Sequence, residues 1–592
     1  MKFNKPDVKQ FFQTYGIQSF SVSPDESQLV LSTNLNGKYN LWAMDLPNTF
    51  PYPLTFHNQS TGSIQYDSEG RFILIESDQD GDENTQLYAI PTKGGELKPV
   101  RISEGNRHMM PSLSNDGKTI YYTSNKEDQT FLKTYKYDIE NDTEEVVLEG
   151  DGAPTYFAKL SPEETSFTYM KMFANTSQLA FVYKDGEHMR LTPETDEQHT
   201  FSGLAYASES EIYFTTTYNA DFSYLAKFDL ETKEFSKVKE LDGISLTDVK
   251  YDESTNSLYI GGSKGVKDTL YRFDLGNGTL EELILPVSVV MQMKIAESGN
   301  LYLMGVSATV PTNIYKFTNG KWENLTNYGV PGVAKEEMVE PEVVTYPSFD
   351  GTEIEAMFFK AKPENDNGHV ILWPHGGPQA AERQTFRALF QFLIYQGYSI
   401  FTPNFRGSTG YGLKFTKVIE GDWGYGPRLD NVEGLEWLIK KGYADRDKIL
   451  LMGGSYGGYM ALLLHGRHAE YFKAVVDIFG VSNLFSFVET VPEHWKPMMK
   501  QWVGDPEKDK EKFTEDSPIT YLDSMTKPML VIQGAKDPRV VKAESDQIVE
   551  ALQKQGTKVE YLVLDDEGHG FSKKENEIKV YERVLEFFEQ YV

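Results

Sequence analysis

Between residues 20 and 320 the chain repeats itself, and no other feature restricts its fold so tightly. The unit is plain in LVLSTNLNGKYNLWAMDL, FILIESDQDGDENTQLYAI, IYYTSNKEDQTFLKTYKYD, IYFTTTYNADFSYLAKFDL and LYIGGSKGVKDTLYRFDL. A polar turn such as Ser23-Pro24-Asp25 leads into an apolar strand, then a Gly/Asn/Asp turn, then an aromatic-bearing strand ending near Asp. Setting the second strands in register puts Trp42, Tyr88, Tyr135, Phe181, Ala226, Tyr271 and Tyr315 in one column, 44 to 47 residues apart. Alternating apolar residues read as strands and the Asp/Gly/Asn clusters between them as hairpin turns. Units of about 40–50 residues with four strands each are propeller blades. Seven blades are expected. A pair of β-sandwiches is the competing arrangement, and sandwiches have no fixed period.

Past Val330 the pattern changes. GVPGVAKEEMVEPEVV reads as a linker into an extended hairpin around Ser348-Phe349-Asp350-Gly351. From His369 on, the short apolar runs HVILWPHGG, YSIFTPNF, KILLMGGS, AVVDIFG, PMLVIQGAKD and VEYLVLDD alternate with amphipathic segments such as Leu429 to Lys441. Runs of that kind suit a parallel sheet covered on both faces, so an α/β domain follows the propeller. Ile578, Tyr581, Leu585, Phe588 and Val592 predict the buried face of a closing helix, and Val8, Phe11, Phe12 and Tyr15 that of a short opening one. The expected division is a helical segment at 1–18 packing on the last domain, a propeller at 19–335 and an α/β-hydrolase domain at 336–592.

Composition removes several function classes. Lys and Arg number 58 against 88 Asp and Glu, a net charge of −30 and the wrong sign for nucleic-acid binding. With no cysteine there are no disulfides, thiolate metal sites or cysteine nucleophiles, and no cofactor or metal is expected. MKFNKPDVKQFFQTYG lacks the apolar run and small-residue cleavage site of a secretory signal, and no stretch approaches 18 uninterrupted apolar residues. A cytoplasmic location with no membrane partner is the expectation.

The chemistry concentrates in KILLMGGSYGGYMALLLHGRH. Gly453-Gly454-Ser455-Tyr456-Gly457 is a G-x-S-x-G between an apolar strand and a helical run, the context of a nucleophile elbow. A serine nucleophile needs a base and an acid, and the hydrolase chain order is Ser, Asp/Glu, His. Of ten histidines, His569 falls in DDEGHGF, a glycine-flanked loop directly after the strand VEYLVL, while His375 precedes the expected acid in the chain and reads as structural. His465 and His468 sit on the helix after the serine, and His494 has no apolar strand before it. Asp537 follows the buried run Met529 to Ile532 and is the expected acid, ahead of Asp477, inside a strand, and Asp565, too close to His569. One oxyanion donor is the N–H of Tyr456, and the second should come from the loop His375-Gly376-Gly377-Pro378 after HVILW. GSTGYG at 407–412 lacks the Lys-Ser/Thr of a phosphate loop and precedes no evident helix, so it reads as structural.

HGGP, NFRGSTGYG, GDWG, GGSYGGYMAL, GAKDPRV and DEGHGF, in that order behind a propeller, resemble the prolyl oligopeptidase family of serine peptidases, above all its acylaminoacyl peptidase branch. The resemblance covers nearly the whole chain. It implies a Ser455, Asp537, His569 triad, oxyanion donors at the N–H groups of Gly377 and Tyr456, and a substrate-carbonyl contact from Arg539. It also implies an S1 pocket built from Val481 to Trp502, for which Leu484, Phe485, Trp495 and Met499 are the candidates, and it is compatible with a homodimer. The implied activity is release of N-acylated amino acids from short blocked peptides through an acyl-enzyme, with esterase activity beside it. A dipeptidyl aminopeptidase of the same family would hold a free ammonium with paired glutamates. The pairs Glu144-Glu145, Glu163-Glu164, Glu281-Glu282 and Glu336-Glu337 read as blade-edge turns and linker instead. A lipase or carboxylesterase shares the triad but wants an open apolar lid, and a non-catalytic scaffold would not keep three triad residues.

Overall fold

The computed structural model describes residues 6–592. Seven four-stranded antiparallel sheets follow one another from Ile17 to Asn324, and one eight-stranded sheet occupies the remainder. Within each small sheet the strands lie in chain order, so every blade is a meander. First strands of neighbouring blades touch, which makes them the innermost. All seven positions of the aligned column fall on third strands, from Trp42 on Asn40–Asp45 to Tyr315 on Val310–Thr318. The constant spacing is therefore the length of one blade.

Among the described residues no strand is shared between the first and last blades, and side chains close the ring. Phe20, Leu29 and Leu31 of the first blade pack with Tyr302, Met304 and Ile314 of the last. Gln292 exchanges two 3.1 Å hydrogen bonds with the backbone of Phe20. Glu26 accepts from the Tyr302 hydroxyl and from Asn300 Nδ2 at 3.0 Å, and pairs with Lys316 Nζ at 3.2 Å.

The large sheet runs Glu342–Pro347, Glu353–Phe359, Ser399–Pro403, Val370–Leu372, Ile449–Gly454, Val475–Ile478, Met529–Gly534, Val559–Leu564. The first two form the antiparallel hairpin, and the other six, the six apolar runs, lie parallel. Alternate residues serve two cores. Leu451, Val475 and Val531 face one, and Leu450, Val476 and Leu530 the other. Loops from the carboxyl ends of such strands gather at one edge, where open α/β sheets hold their sites.

The closing helix, Lys574–Glu589, buries a face shifted from the one its spacing predicts. Val580, Val584, Phe587 and Phe588 are its buried apolar side chains, while Ile578, Tyr581 and Leu585 flank them and Val592 lies exposed beyond the helix end. An apolar residue every three or four positions fits two adjacent stripes, and only the sheet beneath chooses between them. At the other terminus Phe11 and Phe12 of the helix Val8–Phe12 pack on Phe392 and Tyr581, with Tyr15 past the helix end. Residues 1–5 of that opening segment lie outside the described residues.

GSTGYG leads directly into a short helix, Leu413–Lys417, contrary to the expectation that no helix follows. The loop docks on the propeller. Leu413 N donates to Asp221 O at 2.8 Å and Lys414 N to Asp221 Oδ1 at 2.7 Å. Among the described residues no helix is long and apolar enough to cross a membrane.

Candidate active site

Ser455 ends the strand Ile449–Gly454 and caps the helix Tyr456–His468, with φ 58° and ψ −122°. A left-handed φ at a non-glycine residue is strained and lifts the side chain clear of both elements. The turn closes because Gly453 and Gly457 carry no side chain: a Cβ on either would sit 2.2 Å from Gly457 O or 2.1 Å from Pro374 O. Tyr456 is the first helical residue, so its N–H has no carbonyl one turn back to bond. Its ring turns into the core, where the hydroxyl donates to Trp423 O at 2.6 Å.

His569 arrives on the loop after the strand Val559–Leu564, and its Nε2 accepts from Ser455 Oγ at 2.8 Å. Its Nδ1–H donates to Asp537 Oδ2 at 2.6 Å. A carboxylate facing Nδ1 fixes the tautomer that leaves Nε2 free to take a proton. Asp537 is itself held, Oδ1 accepting from Arg539 N at 2.9 Å and Val540 N at 3.0 Å. Buried Glu567 ties the histidine loop down, accepting from Ser572 N at 2.8 Å and Lys573 N at 3.0 Å. Residues 114, 82 and 32 positions apart in the chain thus meet in one hydrogen-bonded line.

Asp477, the competing acid, is buried beneath the elbow, where it accepts from Gly480 N at 2.9 Å and desolvation pushes it up to about 7. His375 stacks on Phe405 at 4.2 Å and bonds Ser408 Oγ at 2.8 Å. His465 Nε2 accepts from Lys527 N at 3.0 Å. None of these reaches Ser455.

A cavity of about 110 Å³ opens at Ser455 between Gly377, Tyr456 and His569. Trp423, Val481, Phe487, Trp495, Trp502 and Val540 form its apolar wall. Of the four residues the sequence nominated, Trp495 is there. Leu484, Phe485 and Met499 are not: Leu484 and Met499 are buried in the core behind the wall, and Phe485 packs on Phe513. The segment contains two α-helices, Leu484–Thr490 and Lys496–Trp502, with a 3-10 turn carrying Trp495 between them, and which face of each meets the cavity is a packing outcome. Trp423 comes from GDWG, far from that segment in the chain, and nothing in its local pattern marks it as pocket lining.

The propeller meets the site through one loop of the second blade. Asp80 pairs with Lys536 Nζ at 2.8 Å and Lys573 Nζ at 3.1 Å, one from each loop that carries a triad partner. The Lys536 bond, helped by Lys573, holds the Asp80 carboxyl well below its ordinary range. Glu83 pairs with Arg539 Nε at 2.7 Å and with Arg107 Nη1 at 3.5 Å. Between these contacts a Cβ on Gly568 would stand 2.1 Å from Gly81 O, so the two backbones touch. No sequence signal nominates Asp80 or Glu83, since they oppose residues 456 to 493 positions away, or Arg107, whose part here is only to share Glu83. The four glutamate pairs lie elsewhere. Glu144 is tied to Arg101 and Lys126, Glu281 and Glu282 are exposed on an outer strand, and none lines the cavity.

Residues 384–592 match the model of the prolyl oligopeptidase family, and residues 8–203 that of the TolB beta propeller domain. Dipeptidyl aminopeptidase BIII of Pseudoxanthomonas mexicana is 27% identical over 96% of this chain and 85% of its own. The acylamino-acid-releasing enzyme of Arabidopsis thaliana is 27% identical over 40% of this chain and 32% of its own. Among solved structures, a puromycin-hydrolyzing peptidase of Mycobacterium tuberculosis superposes with a TM-score of 0.86 over 100% of this chain and 97% of that one, at 17% identity. Pyrococcus horikoshii acylaminoacyl peptidase does so with a TM-score of 0.76 over 100% and 98%, at 20% identity. At those identities the likeness is one of fold.

Proposed function

From a chain that belongs to the prolyl oligopeptidase family of serine peptidases, we propose the release of N-acylated amino acids from the blocked N-termini of short peptides. In this reading His569 takes the proton from Ser455 Oγ as the oxygen attacks the scissile carbonyl. The N–H groups of Gly377 and Tyr456 hold the oxyanion, and Asp537 stabilises the imidazolium. His569 then protonates the leaving amine, and water repeats the steps to free the acyl part. The apolar cavity takes the side chain on the acyl side, with Arg539 gripping a carbonyl further out.

The charge at the mouth carries the choice of substrate. The propeller carboxylate that reaches it, Glu83, is already paired with Arg539 and Arg107. Around Arg107, burial pushes His494 down to about 4, so it stays neutral, and pushes Glu76 up to about 7. Two guanidinium groups against one full carboxylate disfavour a free ammonium, which would be desolvated without a counter-charge. A neutral acyl cap avoids that cost. The second reading, removal of dipeptides, draws on the dipeptidyl aminopeptidase similar to this chain over most of its length. It requires Glu83 to give up its pairing with Arg539 Nε and turn to the ammonium.

N-acetyl-Phe p-nitroanilide is expected to be cleaved at least ~10-fold faster, in kcat/KM, than the same anilide with a free amine. Faster cleavage of H-Gly-Phe p-nitroanilide than of the acetylated compound would favour the dipeptidyl reading.

A further inference from the structure

Ser455 lies between two cavities. Beyond the apolar one is a second, of about 450 Å³, walled by Trp373, Arg387, Phe571, Glu577 and Tyr581 and sharing Gly377, Ser455, Arg539 and His569 with the first. A tetrahedral carbon on Ser455 Oγ carries its acyl side and its amine in different directions. If the apolar cavity receives the acyl side chain, the amine and its residue point into the second.

The ionisable groups of that second cavity are committed, with one exception. Arg387 Nη1 bonds Glu382 Oε2 at 2.5 Å, and its guanidinium lies 5.1 Å from the Trp373 and Phe390 rings. Arg539 is paired with Glu83, and His569 with Asp537. Tyr581 stacks on Phe12 at 4.9 Å. The Glu577 carboxylate accepts no hydrogen bond and has no ion-pair partner among the described residues. Lys574, one turn before it, turns away, donating to Gln13 O at 3.3 Å and lying over the Tyr15 ring at 4.4 Å. Glu567, the neighbouring carboxylate, is occupied by the histidine loop.

Desolvation, with the Glu567 charge beside it, pushes Glu577 up to about 7 against the pull of Lys574. A carboxyl in that condition sheds the cost of burial by holding a proton or by receiving a cation that keeps it ionised, and the cavity it lines has room for the cation. We propose that Glu577 is the specificity residue of the leaving-group subsite and receives the lysine or arginine side chain of the residue directly after the scissile bond. The inference rests on the serine-peptidase reading of Ser455 and on the apolar cavity taking the acyl side chain. It does not depend on which N-terminus the enzyme prefers.

The test compares N-acetyl-Phe-Lys-NH2 with N-acetyl-Phe-norleucine-NH2, which differ in the ammonium, in the wild type and in Glu577→Gln. The wild type is expected to favour lysine by ~10-fold or more in kcat/KM, mostly through KM, and the variant to bring the ratio within ~2-fold of unity. A merely structural role for Glu577 would lower both rates and leave the ratio alone. A wild-type ratio near one, or an undiminished ratio in the variant, overturns the proposal. The pair H-Gly-Phe-Lys-NH2 and H-Gly-Phe-norleucine-NH2 keeps it decidable apart from the acyl reading. If the free-amine pair alone is cleaved, the acyl reading fails and the lysine ratio still decides the subsite.

Discussion

Ser455, His569 and Asp537 form the one hydrogen-bonded line at this site in which a hydroxyl, an imidazole and a carboxylate succeed one another. Replacing the hydroxyl removes the nucleophile and leaves the elbow, since the turn depends on Gly453 and Gly457. Ser455→Ala is therefore expected to lower kcat by at least ~10⁴-fold for peptide and ester substrates, with an unchanged melting curve. A fluorophosphonate probe should label Ser455 in the wild type, and labelling of another serine with Ser455 untouched would refute the assignment. These three residues were legible in the chain because each follows an apolar strand and stands beside glycine or at a strand end. Leu484, Phe485 and Met499 were misplaced because apolar character alone does not say which side of a helix meets a cavity.

One element joins the two domains at the chemistry: the second-blade loop from Asp78 to Glu83. It touches the acid loop through Lys536 and Arg539 and the base loop through Gly568 and Lys573. Gly568 is the sensitive point, because the atom 2.1 Å from an added Cβ is a backbone carbonyl that cannot rotate aside. Gly568→Ala should push the propeller loop and the histidine loop apart. The expected result is a loss of ~10-fold or more in kcat/KM with the fold retained, since a displacement near 1 Å at a catalytic group is costly. Activity within two-fold of wild type would mean that the triad does not need this contact.

At the scale of the whole molecule, the ring of blades is closed by side chains rather than by a shared strand, and Glu26 is part of that seam. Burial opposes its charge, yet bonds from Ser298, Tyr302, Asn300 and Lys316 hold its carboxyl down at about 2, from an ordinary 4.5. A carboxyl lowered on folding contributes stability that is complete above its unfolded pKa and is lost as pH falls through the folded one. The contribution should therefore fade between pH 4.5 and about 2. After screening at a partly solvated site it amounts to at most about 2 kcal/mol. Glu26→Gln is expected to lower the melting temperature at pH 7 by a few degrees and to flatten its fall between pH 5 and ~2.5. Equal acid sensitivity in the two proteins would remove Glu26 from the seam.

The chain by itself determined the number of blades, the six parallel strands and the elbow, because all three are local. A fixed period of hairpins, an uninterrupted apolar run and a strand–glycine–serine–helix junction each depend on near neighbours. What only the tertiary structure decided is everything held by residues distant in sequence. Trp423 joins Phe487 and Trp502 in one wall, Asp80 spans two catalytic loops, and Glu83 is neutralised by arginines from both domains. The buried face of the closing helix moved to Val580 and Val584 because the sheet, not the helix, sets which stripe is covered. Charge pairing and cavity shape depend on distances across space, and a sequence pattern records only distances along the chain.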